Sequence, residues 1–521
     1  MDPCLSSKAL RDHTQHGQAY IPGHSSSGRM ARPARLDVLP DDILLLLVNF
    51  VDIRGILALR LTSKRFLALT KLLWVWKAAL QRLVYEEKLP LPGRKVDTTS
   101  LSQKELEQRV VHAAEFHQNW LSQNLSIRES TIFSTKRSTA DRETDVVHIL
   151  PGRNAEYILT ISDWREVELW EVPLRGSRVL RLATLRSMNR TLCGVACNDD
   201  PDSEGIFCMI YGGRETFRGS FTPLSRAVPM HLEVNVLVMH GDWILTEDLC
   251  LHHWRKNEAL RLIASADGLL ENEALCAKYI NGYFFIVRQF SIILIKAPDV
   301  DDSGSFVNTR SPLYVLTTWD HPVQEAAIFL QDSAYHNRQT GWPSAPISVL
   351  LRGVRDLRKA DFAPSDLVAA SQSGSAPAGS SSRDEPDSAG LLLTQISSIP
   401  VTPSQGDIRI GPSGKGIWLE TRNVTQNHST YPARCIVGFN LREQTQQEAP
   451  STPSNPLSVH HQLPGNVLEL CQKEVYVQRI GSMAPWTPGN MNALPGMAFD
   501  DTVGRIAIAR REGKVQILDF A

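Results

Sequence analysis

The chain has 521 residues, 42% of them hydrophobic and 21% charged, the values of a globular protein long enough for two or three domains. Its 55 Lys and Arg balance 56 Asp and Glu for a net charge of −1, so no global charge excess points to nucleic acid, an acidic partner or a membrane surface. Eight cysteines lie scattered at 4, 193, 197, 208, 250, 276, 435 and 471, a spread that excludes a secreted disulfide scaffold and fits reduced thiols.

Residues 1–35 are polar and aperiodic, and a disordered tail is predicted there. They lack the apolar stretch of a signal peptide. The apolar run at 43–48 is far short of the roughly 20 residues a membrane helix needs. The expectation is a protein of the cytoplasm or nucleus with neither membrane nor nucleic acid among its partners.

Helices are predicted from Leu36. Pro40 stands where a first helical turn tolerates a missing N–H, and Asp41 and Asp42 follow in the turn where acidic groups complement the helix dipole. Ile43, Leu44, Leu47 and Val48 then recur at three- and four-residue spacing, giving an apolar face. Asp52 reads as the N-cap of a second helix with Ile56, Leu57 and Leu59 on its apolar side. Gly55 costs that helix roughly 1 kcal/mol relative to Ala, so packing must hold it. Thr62 or Ser63 caps a third helix carrying Phe66, Leu69, Leu72 and Leu73, which runs into Trp74 and Trp76.

This segment resembles an F-box. The matching positions are Leu39 and Pro40 at the start, Ile43 and Leu44, Phe50 and Ile53, then Ile56, Leu57 and Leu59, the basic Lys64 and Arg65 before Phe66, and Leu73 with Trp74. Leu61, Thr62 and Ser63 depart from the Val-Cys-Arg that the family often has. The resemblance implies an F-box over 36–83 that docks on a Skp-type adaptor and, through it, on a cullin. It assigns adaptor binding to Leu39, Pro40, Ile43, Leu44, Leu47, Ile56, Leu59 and Trp74. A bundle this small carries more Leu than its own core can bury, which agrees with docking. The alternative is a self-contained helical cap packed on the rest of the chain.

Residues 84–129 form a linker. Within it Ser102 and Glu105 have the spacing of a capping box, opening a helix with Leu106, Val110, Ala113, Phe116 or His117, and Trp120 on one stripe. A stiff connection is predicted.

From 130 to 521 the period changes. Short runs of β-branched and aromatic residues, at 145–150, 156–162, 166–172, 242–247, 283–288, 291–296, 346–351, 416–421, 505–510 and 514–520, alternate with Gly, Asp, Asn and Pro. That pattern predicts an all-β domain. Trp170 and Trp254 stand 84 positions apart, two units of about 42, and Ile295 follows 41 later. A unit of that length with three or four strands is a β-propeller blade. The segments around 156–173 and 497–521 resemble degenerate WD-repeat blades, although the Gly-His pair of that repeat is missing. The fold expected is a helical F-box bundle and linker helix followed by a propeller of about seven blades. The Ser-rich stretch 371–390, with seven Ser, three Gly, three Ala and two Pro, is predicted to be a disordered insertion, and 336–344 a second loop.

Chemistry-bearing motifs are sparse. Residues 411–416, GPSGKG, superficially match a phosphate loop but precede a strand and lack the Ser or Thr after Lys415, so a tight turn is expected. Cys193 and Cys197 have no metal-ligand partners nearby. His252 with His253, and His460 with His461, are adjacent and in a strand point to opposite faces. No metal, cofactor or catalytic constellation is predicted. Trp164, Trp243, Trp319, Trp342, Trp418 and Trp486 are expected mostly in the core, a few as binding anchors. The function expected is a non-catalytic, substrate-recruiting subunit of a Skp-cullin-F-box ubiquitin ligase, whose propeller holds an unnamed protein substrate. A scaffold without ubiquitin transfer and a propeller enzyme are the alternatives.

Overall fold

The computed structural model describes most of residues 36–521. Residues 1–35 and the longer connections 93–100, 136–143, 187–191, 221–235, 263–271, 299–312, 331–341, 368–392, 397–407, 443–468 and 480–495, with some shorter ones, lie outside the described residues. The predicted tail, the Ser-rich insertion at 371–390, most of 336–344, His460, His461 and Trp486 therefore fall outside it as well.

Four helices, α1 (Asp41–Val48), α2 (Ile53–Thr62), α3 (Lys64–Leu69) and α4 (Leu73–Gln81), follow a short 3-10 turn at Leu36–Val38, and α4 runs on into a π-helical turn at Arg82–Glu86. Local chemistry sets the helix starts. The Asp52 side chain accepts from the Gly55 N–H at 2.8 Å, and the Ser63 hydroxyl accepts from Phe66 N–H at 3.2 Å, each satisfying one orphan donor. Gly55 is required by its neighbour, because a Cβ there would lie 2.2 Å from Val51 Cγ1.

Helix α5 (Gln103–Leu121) opens with the capping box, Ser102 and Glu105 bonding reciprocally. The Ser102 hydroxyl and N–H hold the Glu105 carboxyl below its usual pKa. This helix belongs to two cores at once. Leu106, Val110 and Ala114 pack with Val48, Ile53, Ile56, Val75, Trp76 and Leu80 of the N-terminal bundle. One to two turns on, Phe116 and Trp120 pack with Ile417, Ile436, Met497, Ile506, Leu518 and Phe520 of the β-domain.

The β-domain is a ring of antiparallel sheets in which consecutive strands run outward from the centre. Six blades are complete and four-stranded; the sheet between the first and third, made of Leu192–Cys197, Gly205–Tyr211 and Glu215–Ser220, has three described strands. The count of complete blades is thus six, one fewer than the about seven expected from length. The period of about 42 is that of the ring. Trp170 lies in the third strand of the first blade (Glu166–Glu171), Trp254 directly follows the third strand of the third (Cys250–His253), and Ile295 lies in the third strand of the fourth (Ser291–Lys296). A two-residue turn of positive φ, Asn281-Gly282 (50° and 80°), joins the first strand of the fourth blade to its second, the hairpin geometry such residues favour.

The ring closes with a strand from before the first blade. Glu129–Ser134 pairs with Lys514–Asp519 in the register Glu129↔Asp519 to Ser134↔Lys514 and completes the last blade. Arg505 locks this closure to the first blade. Fully buried, it binds both oxygens of Asp519 (2.6 and 2.8 Å) and the carbonyls of Ala155, Val172 and Pro173 (2.9, 2.6 and 3.2 Å), which uses all five guanidinium donors.

Candidate functional site

The N-terminal bundle carries the candidate site. Helix α1 is apolar at six consecutive positions, 43–48, so no rotation about its axis can bury them all. The structure turns Leu44 and Val48 inward, both about 1% exposed. Leu44 meets Phe66 and Leu69 in a small core of its own. The outward face presents Ile43, Leu46, Leu47 and Phe50, the last 86% exposed, at the three- and four-residue spacing of one helical stripe. Leu36 and Val38 lead into this stripe, while Leu61, Leu67, Leu72, Leu73 and Trp74 lie exposed on the other helices. Eleven of the seventeen exposed large hydrophobic side chains among the described residues thus fall between residues 36 and 74.

The residues singled out in the sequence divide accordingly. Pro40, Ile43, Leu47 and Trp74 are exposed. Leu39 and Leu59 are half-buried and pack against the Leu44–Phe66–Leu69 cluster. Leu44 and Ile56 lie inside the bundle's own cores. The structure also exposes Leu46 and Leu61, which the sequence did not single out as candidate site residues. The signal for Leu46 was present, since an unbroken apolar run on a surface helix must leave some side chains outside.

Polar contacts tie the helices together around this face. Arg65 of α3 bonds the Leu39 carbonyl at 2.6 Å and, through Nε, Asp41 at 2.8 Å. Arg82 bonds the carbonyls of Asn49 and Val51 at 2.8 and 2.7 Å. Arg60 pairs with Glu107 of α5 at 2.5 Å, bonds Thr70 and lies 5.5 Å from the centre of the Trp76 ring.

On the propeller side, His112 Nε2 of α5 lies 2.8 Å from the Val503 carbonyl, and Asn119 donates to the carbonyls of Ser126 and Phe520. Phe116 fills a notch at Gly504, where a Cβ would come within 2.3 Å of its ring. Val503 and Gly504 sit in a turn between the first and second strands of the last blade. Helix α5 therefore docks on the face of the ring that carries such turns.

The phosphate-loop look-alike is one of them. Gly414, at φ +75°, closes a tight turn with its N–H on the Gly411 carbonyl at 3.0 Å. Lys415 is buried, donates to the Ser413 hydroxyl at 2.7 Å and lies 5.2 Å from the centre of the Phe116 ring. Its charge therefore faces α5. The Ser413 N–H and hydroxyl both donate to the buried Asp501 carboxylate. Burial lowers the Lys415 pKa to about 8 and raises that of Asp501 to about 6.

Burial also holds several thiols and imidazoles of the ring in their neutral forms. Burial pushes the thiols of Cys197, Cys208 and Cys276 up to about 12, which suppresses the nucleophilic thiolate. Burial also lowers the pKa of His252 and His253. Among the described residues no group of three or more His, Cys, Asp or Glu could hold a metal ion, and no described helix is long and apolar enough to cross a membrane. Trp254 and Trp342 are buried, and Trp164, Trp243, Trp319 and Trp418 are half-buried.

Comparison with known proteins agrees at the site. Residues 36–78 match the family model of the F-box domain. No curated protein sequence matches the chain. Among solved structures, the β-propeller domain of Cps50 (Swd1) from Myceliophteria thermophila aligns at 8% identity and a TM-score of 0.43, over 75% of this chain and all of that one. A structure of ctPRC2 in complex with H3K27me3 and H3K27M aligns at 9% identity and a TM-score of 0.42, over 76% of this chain and 97% of that one. The chain is an F-box domain at 36–78 joined by α5 to a C-terminal β-propeller.

Proposed function

We propose that the protein is the substrate-recruiting subunit of a Skp-cullin-F-box type ubiquitin ligase. One observation carries the reading: the segment that matches the F-box family leaves an apolar helical stripe in water. Contiguous exposed apolar surface marks an interaction site, and α1 has the spacing of a helix laid in a partner's groove or along its helices. In this reading Leu39, Pro40, Ile43, Leu47 and Trp74 contact a Skp-type adaptor. Leu44, Ile56 and Leu59 shape the helices that present them.

The propeller holds a protein substrate, and α5 keeps the two ends at a fixed distance. The mechanism is proximity, which raises the effective concentration of substrate beside a ubiquitin-charged enzyme. No bond is made or broken by this chain itself. The reading places the protein in the cytoplasm or nucleus.

The test is co-purification of adaptor and cullin with the tagged full chain, beside an Ile43→Asp/Phe50→Ser variant. Substitution is preferable to deletion, because removing the bundle would strip the core it shares with α5. Both partners should accompany the wild type, and both should be lost from the variant. Adaptor without cullin would favour a scaffold, and capture of neither would end the proposal.

A further inference from the structure

Helix α1 is short and weakly held by its own ends. It has eight residues, fewer than a helix needs to stand alone in water. Its N-cap is Pro40, which makes no side-chain capping bond, and its last turn carries no basic residue. Each end is instead tied to the rest of the bundle by an arginine. At the start, Arg65 of α3 donates to the Leu39 carbonyl, the group just before Pro40, and to the Asp41 carboxylate of the first turn. At the finish, Arg82 in the π-helical turn donates to the carbonyls of Asn49 and Val51. A cation there complements the negative end of the helix dipole and fastens residues 49–51, whose N–H groups cover the last carbonyls of α1.

The two arginines therefore clamp the two ends of the helix whose outward stripe is Ile43, Leu46, Leu47 and Phe50. We propose that Arg65 and Arg82 are positioning residues that preorganise α1 for the adaptor. This rests on the adaptor-docking reading above. Without them the helix would sample frayed states, and the adaptor would have to spend binding free energy on ordering it. Apparent affinity falls in proportion to the population of the competent state. The bond to Asp41 is a minor part of the effect, since that pair is exposed to water and such pairs contribute little. The carbonyl bonds, made by a charged donor to backbone in half-buried surroundings, are the ones that matter.

The experiment uses the purified full chain with purified Skp-type adaptor. Affinity is measured by calorimetry, and amide exchange over residues 41–51 is followed by mass spectrometry. Arg65→Gln and Arg82→Gln should each weaken binding about tenfold, the loss of one or two charge-assisted bonds. Exchange in α1 should rise while that of α2, α4, α5 and the blades stays as in the wild type, and bound adaptor should restore α1 protection. Arg65→Lys, which keeps a charged donor, should recover part of the affinity.

Unchanged affinity with unchanged α1 exchange would overturn the proposal. Weakened binding with α1 fully protected would overturn it too, by making the arginines direct contacts. Loss of protection throughout the bundle would assign them to the fold in general. Failure of the wild type to bind would remove the docking reading itself, and this inference with it.

Discussion

The two regions of this molecule dispose of their side chains in opposite ways. The F-box bundle leaves apolar residues in water and keeps charge outside: of its described residues, Thr70 is the one polar side chain that is buried. The propeller hides its apolar residues and takes charge inside, burying Glu168, Arg288, Lys359, Lys415, Asp501, Arg505 and Asp519. Size explains part of this. A bundle of some forty residues has too little interior for its leucines, whereas a closed ring has an interior between every pair of blades. The rest is architecture. A ring must be closed, and a bidentate Arg–carboxylate pair gives one geometry where apolar packing alone permits several. The bundle needs no closure, and in the proposed function its free surface is the part that docks.

The largest test of this contrast lies at the closure. Arg505→Met leaves Asp519 buried without its partner, and breaking a buried pair from one side costs about 3–5 kcal/mol. Thermal unfolding of the propeller should fall accordingly, and Arg505→Met with Asp519→Leu should recover most of the loss. An Arg505→Met protein as stable as the wild type would mean that strand pairing by Glu129–Ser134 alone holds the ring.

A smaller effect concerns the buried charges under α5. Burial raises the Asp501 pKa from 3.8 to about 6, against the opposing pull of Lys415 and the Ser413 bonds. A raised acid contributes stability that is fully present below its unfolded pKa and is lost as pH rises through about 6. The Lys415 pKa is lowered to about 8, so its contribution is present above the unfolded value and lost as pH falls through about 8. Both groups therefore oppose folding between about pH 6 and 8. Chemical denaturation across pH should show Asp501→Asn gaining on the wild type as pH rises from 4 to 7, by on the order of 1–3 kcal/mol. A difference that is flat with pH would place Asp501 in contact with water.

Local chemistry was legible in the sequence. The caps at Asp52, Ser63 and Ser102, the stripe of α5, the strands and the period of about 42 are each set by residues a few positions apart. What was not legible depends on distant parts of the chain. Nothing near Glu129–Ser134 says that this strand pairs with 514–519, and nothing near Arg505 says that its fork meets carbonyls of the first blade. The three-strand sheet at 192–220 likewise could not be counted from length. In the bundle, the family pattern marked the segment that matches the F-box model but not which side of each helix faces water. Leu44 and Leu47 look alike in the sequence, and only the packing of Phe66 and Leu69 on Leu44 separates them.

That pair provides the most direct measurement. Leu44→Ala and Leu47→Ala are made in the full chain, and stability and Skp-type adaptor affinity are read for both. Leu44→Ala should cost about 2–5 kcal/mol of stability in the bundle. Leu47→Ala should stay within about 0.5 kcal/mol of the wild type yet weaken the adaptor complex by more than about tenfold, as loss of an interface anchor does. Equal stability losses in the two variants, or adaptor affinity unmoved by Leu47→Ala, would contradict the assignment of the exposed stripe as the docking surface.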